Sequence, residues 1–361
     1  GARVVIRPYR ERGGYRELGQ PVHSAAAPLT EHRLDPGSYR IELSAPGHQP
    51  VVYPLAAVRA ETLDIAVALP PEGAVPADMV YIPAGRFLYG SDFDDKFRDL
   101  GLDTQPLRPV TTAAYLIGRT EVTMRAWLAF ARTLPAAERA QRLPRHPSGK
   151  VVESADGRFA LHFRATADVA PDAGGGGHVV AEGELLRYRD RQRRVEQDWL
   201  DFPVFSVSFD DAQAYAAWLD RTGQVPGARL CTEYEWERAA RGADDRVYPH
   251  GDILAADDAN HDLTYGRKPG GFGPDAVGSY PVSHSPFGLA DMAGNVWEWV
   301  RSVEPAAGEV VIRGGDWFRR ASNSLSCNRS PGTRDWLMPQ LGVRICADVD
   351  PQLWRQRRSE R

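Results

Sequence analysis

The chain has 361 residues, 42% of them hydrophobic and 25% charged, proportions of ordinary globular protein with length for more than one domain. Forty-four basic residues against 48 acidic ones leave a net charge of −4, too balanced for a nucleic-acid-binding protein, which would gather a basic excess on one face. No run approaches the roughly 20 consecutive apolar residues that cross a bilayer, so no membrane span is expected in this chain. The sequence begins Gly1-Ala2 with no basic, apolar leader, which suggests a piece of a longer polypeptide. No signal sets a compartment, and the cytoplasm is the default expectation.

In chain order, Val4-Val5-Ile6, Ser38–Leu43, Val51–Tyr53 and Leu63–Leu69 read as strands, with Pro36-Gly37 and Pro46-Gly47 marking turns. They predict a small β-sandwich over residues 1–72. The Pro-rich stretch Pro70–Pro76 reads as a stiff junction, with the linker over 73–78. All nine tryptophans lie beyond residue 120, so the aromatic core belongs to the second part.

That part mixes short strands with three marked helices. Glu121–Leu134 places Met124, Trp127, Leu128, Ala131 and Leu134 on one face. Ser208 and Asp211 form a capping-box pattern before Ala212, Tyr215, Ala216 and Leu219, with Gly223 as the stop. Thr232 and Glu235 repeat the pattern before Trp236, Ala239 and Ala240, and Gly242 ends that helix. Between the first two helices lies an insertion, residues 135–200. There Val151-Val152, Phe159–Phe163 and His178–Arg187 suggest a β-meander with a flexible tip at Gly174–Gly177. Its charge run, Arg187–Arg194, reads as a solvated face, or alternatively as a partner-binding excrescence. Residues 349–361 form a basic tail.

Cys231, Cys327 and Cys346 are odd in number and widely spaced, which supports neither a disulfide framework nor a Cys-X-X-Cys site and favours buried thiols. No two of the nine histidines stand at the spacing that puts both imidazoles on one helix turn. Gly294-Asn295-Val296-Trp297-Glu298-Trp299 is a turn running into an alternating strand, with both tryptophans on one face and Glu298 on the other. Asn295 and Glu298, with the carbonyls of Gly294 and Val296, are hard oxygen donors suited to Ca²⁺. The alternative is a carboxylate that accepts backbone N–H bonds within the turn.

Seven blocks carry a family resemblance in consistent order: Met79–Ser91, Glu121-Val122-Thr123, Pro203–Ser208, Arg229–Gly242, Phe287–Trp299, Arg313–Trp317 and Leu341-Gly342-Val343-Arg344. Residues 79–348 thereby resemble the formylglycine-generating enzymes, or sulfatase-modifying-factor domains, whose fold is a variant of the C-type lectin fold. The run Asp35–His48 resembles PEGA-type β-modules, which occur with such domains downstream of bacterial Ser/Thr kinases. The resemblance implies an α+β protein: a formylglycine-generating-enzyme-like C-type lectin fold preceded by a small β-sandwich. It also implies calcium at the Gly294–Glu298 motif. A second family calcium site is doubtful, since Asn260 is present but Gly270-Gly271-Phe272 stands where Asp-Gly-Phe is expected.

The family's enzymes hold Cu(I) on two cysteines, three and eight residues after the serine of a Gly-Gly-Ser motif. Here Asp316 stands at that serine, and the two positions are Arg319 and Ser324. A guanidinium repels Cu⁺ and a hydroxyl is a hard ligand where soft thiolates are required, so no copper is expected. The family's iron-dependent branches draw histidines from a helical domain that a β-rich N-terminus does not supply.

What remains is a recognition surface, because residues 316–340 are rich in Arg, Trp, Phe and Asn. The segment also resembles the variable region of retroelement-diversified lectin-fold proteins, with Trp317, Ala321, Asn328-Arg329 and Leu341–Arg344 as the frame. The residues expected to contact a ligand are Trp317, Phe318, Arg319, Arg320, Ser322, Asn323, Ser330, Trp336, Leu337 and Met338. The expected function is a non-catalytic pseudoenzyme module binding a protein or small-molecule ligand. The alternatives are a sensor domain of a kinase-linked protein and a copper-dependent oxidase.

Overall fold

In the computed structural model, residues 1–92, 102–164, 177–303 and 310–349 are described. The insertion's tip at Gly174–Gly176 and the tail beyond Val349 lie outside them.

The first strands are β1 (Arg3–Arg12), β2 (Tyr15–Leu18), β3 (His23–Ala26), β4 (Gly37–Ser44) and β5 (Val51–Ala57). They form one five-stranded antiparallel sheet in the order β2-β1-β4-β5, with β3 also on β1. The alternation of β1 and β4 turns Val4, Ile6, Tyr39 and Ile41 to one face. Leu29, Leu34 and Val67 cover that face, so loop residues supply the layer for which the sequence suggested a second sheet. The expected strand Leu63–Leu69 does not form. Leu63 and Ile65 are exposed, and only the end of the segment, around Val67 and Leu69, packs inward.

The second part contains α1 (Met124–Arg132), α2 (Ala136–Arg142), α3 (Phe209–Arg221) and α4 (Glu233–Arg241). Thr123 Oγ1 accepts the Ala126 N–H at the start of α1. Both expected capping boxes are made, Ser208 with Asp211 on α3 and Thr232 with Glu235 on α4. One four-stranded sheet runs Ala228–Leu230, Ile345–Asp348, Tyr115–Gly118, Met79–Ile82. Another runs Arg329–Gly332, Val310–Arg313, Trp297–Arg301, Leu341–Gly342, the last pair parallel. This second sheet carries the candidate site.

The insertion is part of the body. Arg145–His146, Gly149–Glu153, Phe159–Phe163 and His178–Ala181 form the meander, whereas Leu185–Arg187 turns away to pair with Glu196–Asp198. The apolar face of the meander, Phe159, Leu161 and Phe163, is buried in the cluster that holds Trp127, Trp199, Trp299 and Trp317. Three such side chains contribute roughly 1.5–3 kcal/mol each, enough to seat the insertion firmly.

Its charge run is not a uniformly solvated face. Arg187 and Arg193 are exposed and ion-paired, but Arg191 is buried. Its guanidinium lies between the rings of Tyr188 and Tyr265, 3.3 and 3.8 Å from their centroids. It donates to Asp275 Oδ1 (2.5 Å) and to the carbonyls of Gly271 (2.7 Å) and Gly273 (2.8 Å). A charge pattern reports polarity without reporting which side chain a neighbouring loop will enclose.

The thiol expectation also changes. Cys231, directly after the strand Ala228–Leu230, and Cys346 in the neighbouring strand Ile345–Asp348 form a disulfide, with Cα atoms 4.9 Å apart. Cys327 is free and buried.

Candidate functional site

The strand Val310–Arg313 delivers the chain to the site, anchored by Arg313. This fully buried guanidinium pairs with Glu237 of α4 (2.5 Å) and donates to the carbonyls of Cys327 and Asn328. Gly315 follows at φ 76°, and a methyl group there would lie 2.3 Å from Ser324 Oγ. The chain doubles back on itself at this point, and only glycine fits. Asp316 Oδ1 then accepts the N–H groups of Phe318 (2.6 Å) and Arg319 (2.9 Å), a local turn that sends both side chains outward. Burial raises the Asp316 carboxyl to about 6 in spite of those bonds.

Phe318 is 41% exposed, resting edge-on against Phe272 and Trp317 at 5.1 and 5.9 Å. Arg319 is exposed, with only a 3.7 Å approach to Asp316 Oδ2, and its carbonyl accepts the Asp262 N–H. Arg320 is exposed as well. Ser322 and Asn323 are half-buried in the short turn Ala321–Ser324, where Asn323 O accepts from Asn328 Nδ2.

Trp317 is not a contact residue. It is 1% exposed and packs on Phe163 of the insertion, Phe272 and Phe318, a pedestal beneath the face. The segment's composition made it look available, but Phe163 of the insertion covers it, a partner that nothing in the sequence identifies.

The remaining expected contacts rest on other supports. Ser330 sits in the strand Arg329–Gly332, paired with Ile312. Trp336 is 37% exposed and lies over Gly332, while Arg334 binds Asp210 and Gln213 of α3. Leu337 is half-buried, and Met338 packs on the main core with its carbonyl accepting the Ser206 N–H. The predicted face is therefore two stretches: 318–323, seated beside 262–273, and 330–338, seated beside α3. Sequence reasoning missed Phe272, Asp262 and Phe163, since each reaches the site only through chain folding.

The sulfatase-modifying factor enzyme 1-like domain matches residues 67–349. The chain belongs to that family. Curated relatives include the inactive C-alpha-formylglycine-generating enzyme 2 of Mus musculus, 31% identical over 296 residues, 75% of this chain and 86% of that protein. The formylglycine-generating enzyme of Thermomonospora curvata is 32% identical over 281 residues, 73% of this chain and 79% of its own. Among solved structures, PvdO from Pseudomonas aeruginosa is 24% identical with a TM-score of 0.51, covering 75% of this chain and 94% of that one. Treponema denticola variable protein 1 is 20% identical with a TM-score of 0.51, covering 75% and 95%. Both neighbours share the fold, and the α+β, formylglycine-generating-enzyme-like architecture stands.

The family's copper chemistry needs two thiolates, and the donors here do not fit it. Arg319 projects to solvent and Ser324 is fully buried with a hydroxyl. Cys231 and Cys346 are bonded to each other. Cys327 is 1% exposed, and burial pushes its thiol up to about 11, so it is protonated near neutrality.

The calcium expectation at Gly294–Glu298 meets a similar obstacle. Both Glu298 oxygens accept from the buried Arg344 guanidinium at 2.7–3.0 Å, and Oε2 also accepts the Trp236 indole N–H at 2.6 Å. The Asn295 amide oxygen accepts from Asp275 N (3.0 Å) and Asn260 Nδ2 (3.3 Å). Among the described residues, no group of three or more His, Cys, Asp or Glu side chains is arranged to hold a metal. As arranged, Glu298 is engaged by Arg344 and Trp236 and is not free to hold an ion. Nearby Glu121 and Asp291 are buried carboxyls raised by desolvation, Asp291 to about 6.

No helix among the described residues is long and apolar enough to cross a membrane.

Proposed function

We propose that this family member is a non-catalytic binding module that recognises a protein or small-molecule ligand through the face carrying Phe318, Arg319 and Arg320, with Trp336 on the adjoining stretch. The observation that carries this reading is the substitution of the two copper-ligand positions by Arg319 and Ser324, with Arg319 turned to solvent beside an exposed aromatic ring. Removing the thiolates removes the soft donors that Cu(I) requires. An exposed guanidinium next to an aromatic ring is instead a common composition of recognition surfaces. The relatives named inactive formylglycine-generating enzyme 2 support the same direction, since they are similar to this chain over three quarters of its length.

The test has two arms. In the first, anaerobic Cu(I) titration and oxygen consumption with a cysteine-containing peptide should show neither tight retention nor turnover; turnover would establish the oxidase instead. In the second, a ligand captured on the immobilised chain and identified by mass spectrometry should be lost with the Arg319→Ala, Arg320→Ala double variant. Retention by that variant would refute the assignment of the face.

A further inference from the structure

The turn Val247–Asp252 is held on both sides by segments remote in sequence. On one side lies the tight turn between β1 and β2. The Arg16 N–H donates to His250 O (2.8 Å), the Asp252 N–H donates to Gly14 O (2.7 Å), and Tyr15 bridges Gly251. A side chain strengthens this contact, Arg16 Nη2 donating to Asp252 Oδ2 (3.0 Å), and Tyr15 OH donates to Asp258 Oδ2 (2.8 Å) beyond the turn. The His250 ring lies 5.4 Å from that of Tyr15 and 6.4 Å from that of Tyr248.

On the other side lies the loop that shapes the candidate face. The Ser326 N–H donates to Val247 O (2.9 Å), and Tyr248 OH donates to Ala321 O (3.2 Å). The Tyr248 ring packs in one small cluster with Leu325 and Cys327. The turn Ala321–Ser324 has four residues and no side-chain cap of its own. A segment that short cannot hold its own conformation, so its position comes from what packs against it.

We infer that the N-terminal sheet is a positioning element of the candidate binding face, acting through Val247–Asp252 as a strut clamped between the β1–β2 turn and residues 321–326. The consequence for ligand binding rests on the function proposed above, whereas the mechanical coupling does not and is measured without any ligand. Loosening the clamp frees the strut, and the freed strut releases the carbonyl of Ala321 and the amide of Ser326.

Gly251→Ala in the full chain tests this, because a methyl group there would lie 2.2 Å from Gly14 O and 2.9 Å from Tyr15 Cα, a wedge between two backbones. Amide hydrogen exchange read by mass spectrometry should accelerate about tenfold both in peptides covering 14–18 and in peptides covering 321–328, with the strand Val310–Arg313 unchanged. Acceleration at 14–18 alone would overturn the inference. Should that variant fail to fold, Arg16→Met removes the side-chain bond given to Asp252 inside the strut. It should speed exchange at 321–328 about threefold, and an unchanged rate there would equally overturn the coupling. Coupled exchange in a chain whose Arg319 and Arg320 prove dispensable for capture would refute the binding reading while leaving the strut intact.

Discussion

Replacing Arg191 by alanine tests how firmly the insertion is pinned to the body. The wild-type guanidinium makes one ion pair and two further hydrogen bonds, all at 2.5–2.8 Å, and stacks against two tyrosine rings. Alanine removes all of these at once and leaves the carbonyls of Gly271 and Gly273 without this donor. Asp275 retains donors from Gln197, Tyr265 and Tyr280, so the carboxylate is not left wholly without partners. Removing one member of a buried pair costs about 3–5 kcal/mol, and the retained donors place the expectation near the lower end, about 3 kcal/mol. Arg191→Lys keeps the charge but not the planar fork, and should cost about 2 kcal/mol. Urea unfolding followed by tryptophan fluorescence gives both values, and a cycle with Asp275→Asn isolates the pair. A loss below about 1 kcal/mol for Arg191→Ala, the range of exposed ion pairs, would refute the claim that this arginine organises the junction.

The Arg319→Ala, Arg320→Ala variant should unfold within about 0.5 kcal/mol of the wild type, since both side chains face solvent; a large loss would make them structural rather than recognition residues. In native protein at pH 8, Cys327 should not react with a thiol reagent, because burial keeps it protonated. Unfolding without reductant should expose one thiol per chain, and three would refute the Cys231–Cys346 pairing. Burial lowers the His250 pKa below 6.5, so the unfolded chain binds that proton more readily than the folded one. The stability tied to neutral His250 is therefore complete above about pH 6.5 and declines as the pH falls below it. Its slope should approach about 1.4 kcal/mol per pH unit at most. His250→Leu should unfold with a flatter pH profile between 6.5 and 5, and an identical profile would contradict the burial argument.

Local signals determined a good part of this protein. The three amphipathic helices were legible from 3.6-residue apolar spacing and two of them from capping boxes, which act over a few residues, as at Ser208–Asp211 and Thr232–Glu235; the first, expected from Glu121, starts instead at Met124 behind the cap Thr123. The family was legible because its ordered blocks persist. Tertiary structure decided the rest. Leu63–Leu69 has strand composition but forms no strand in the fold, and a strand exists only where a partner pairs with it. Arg191 reads as solvated until Tyr188, Tyr265 and Asp275 close around it. Trp317 reads as accessible until Phe163, 154 residues earlier, packs against it. Glu298 reads as a calcium ligand until Arg344 donates to both of its oxygens. In each case the outcome depends on long-range contacts, and the chemistry of a side chain is set by the neighbours that folding brings to it.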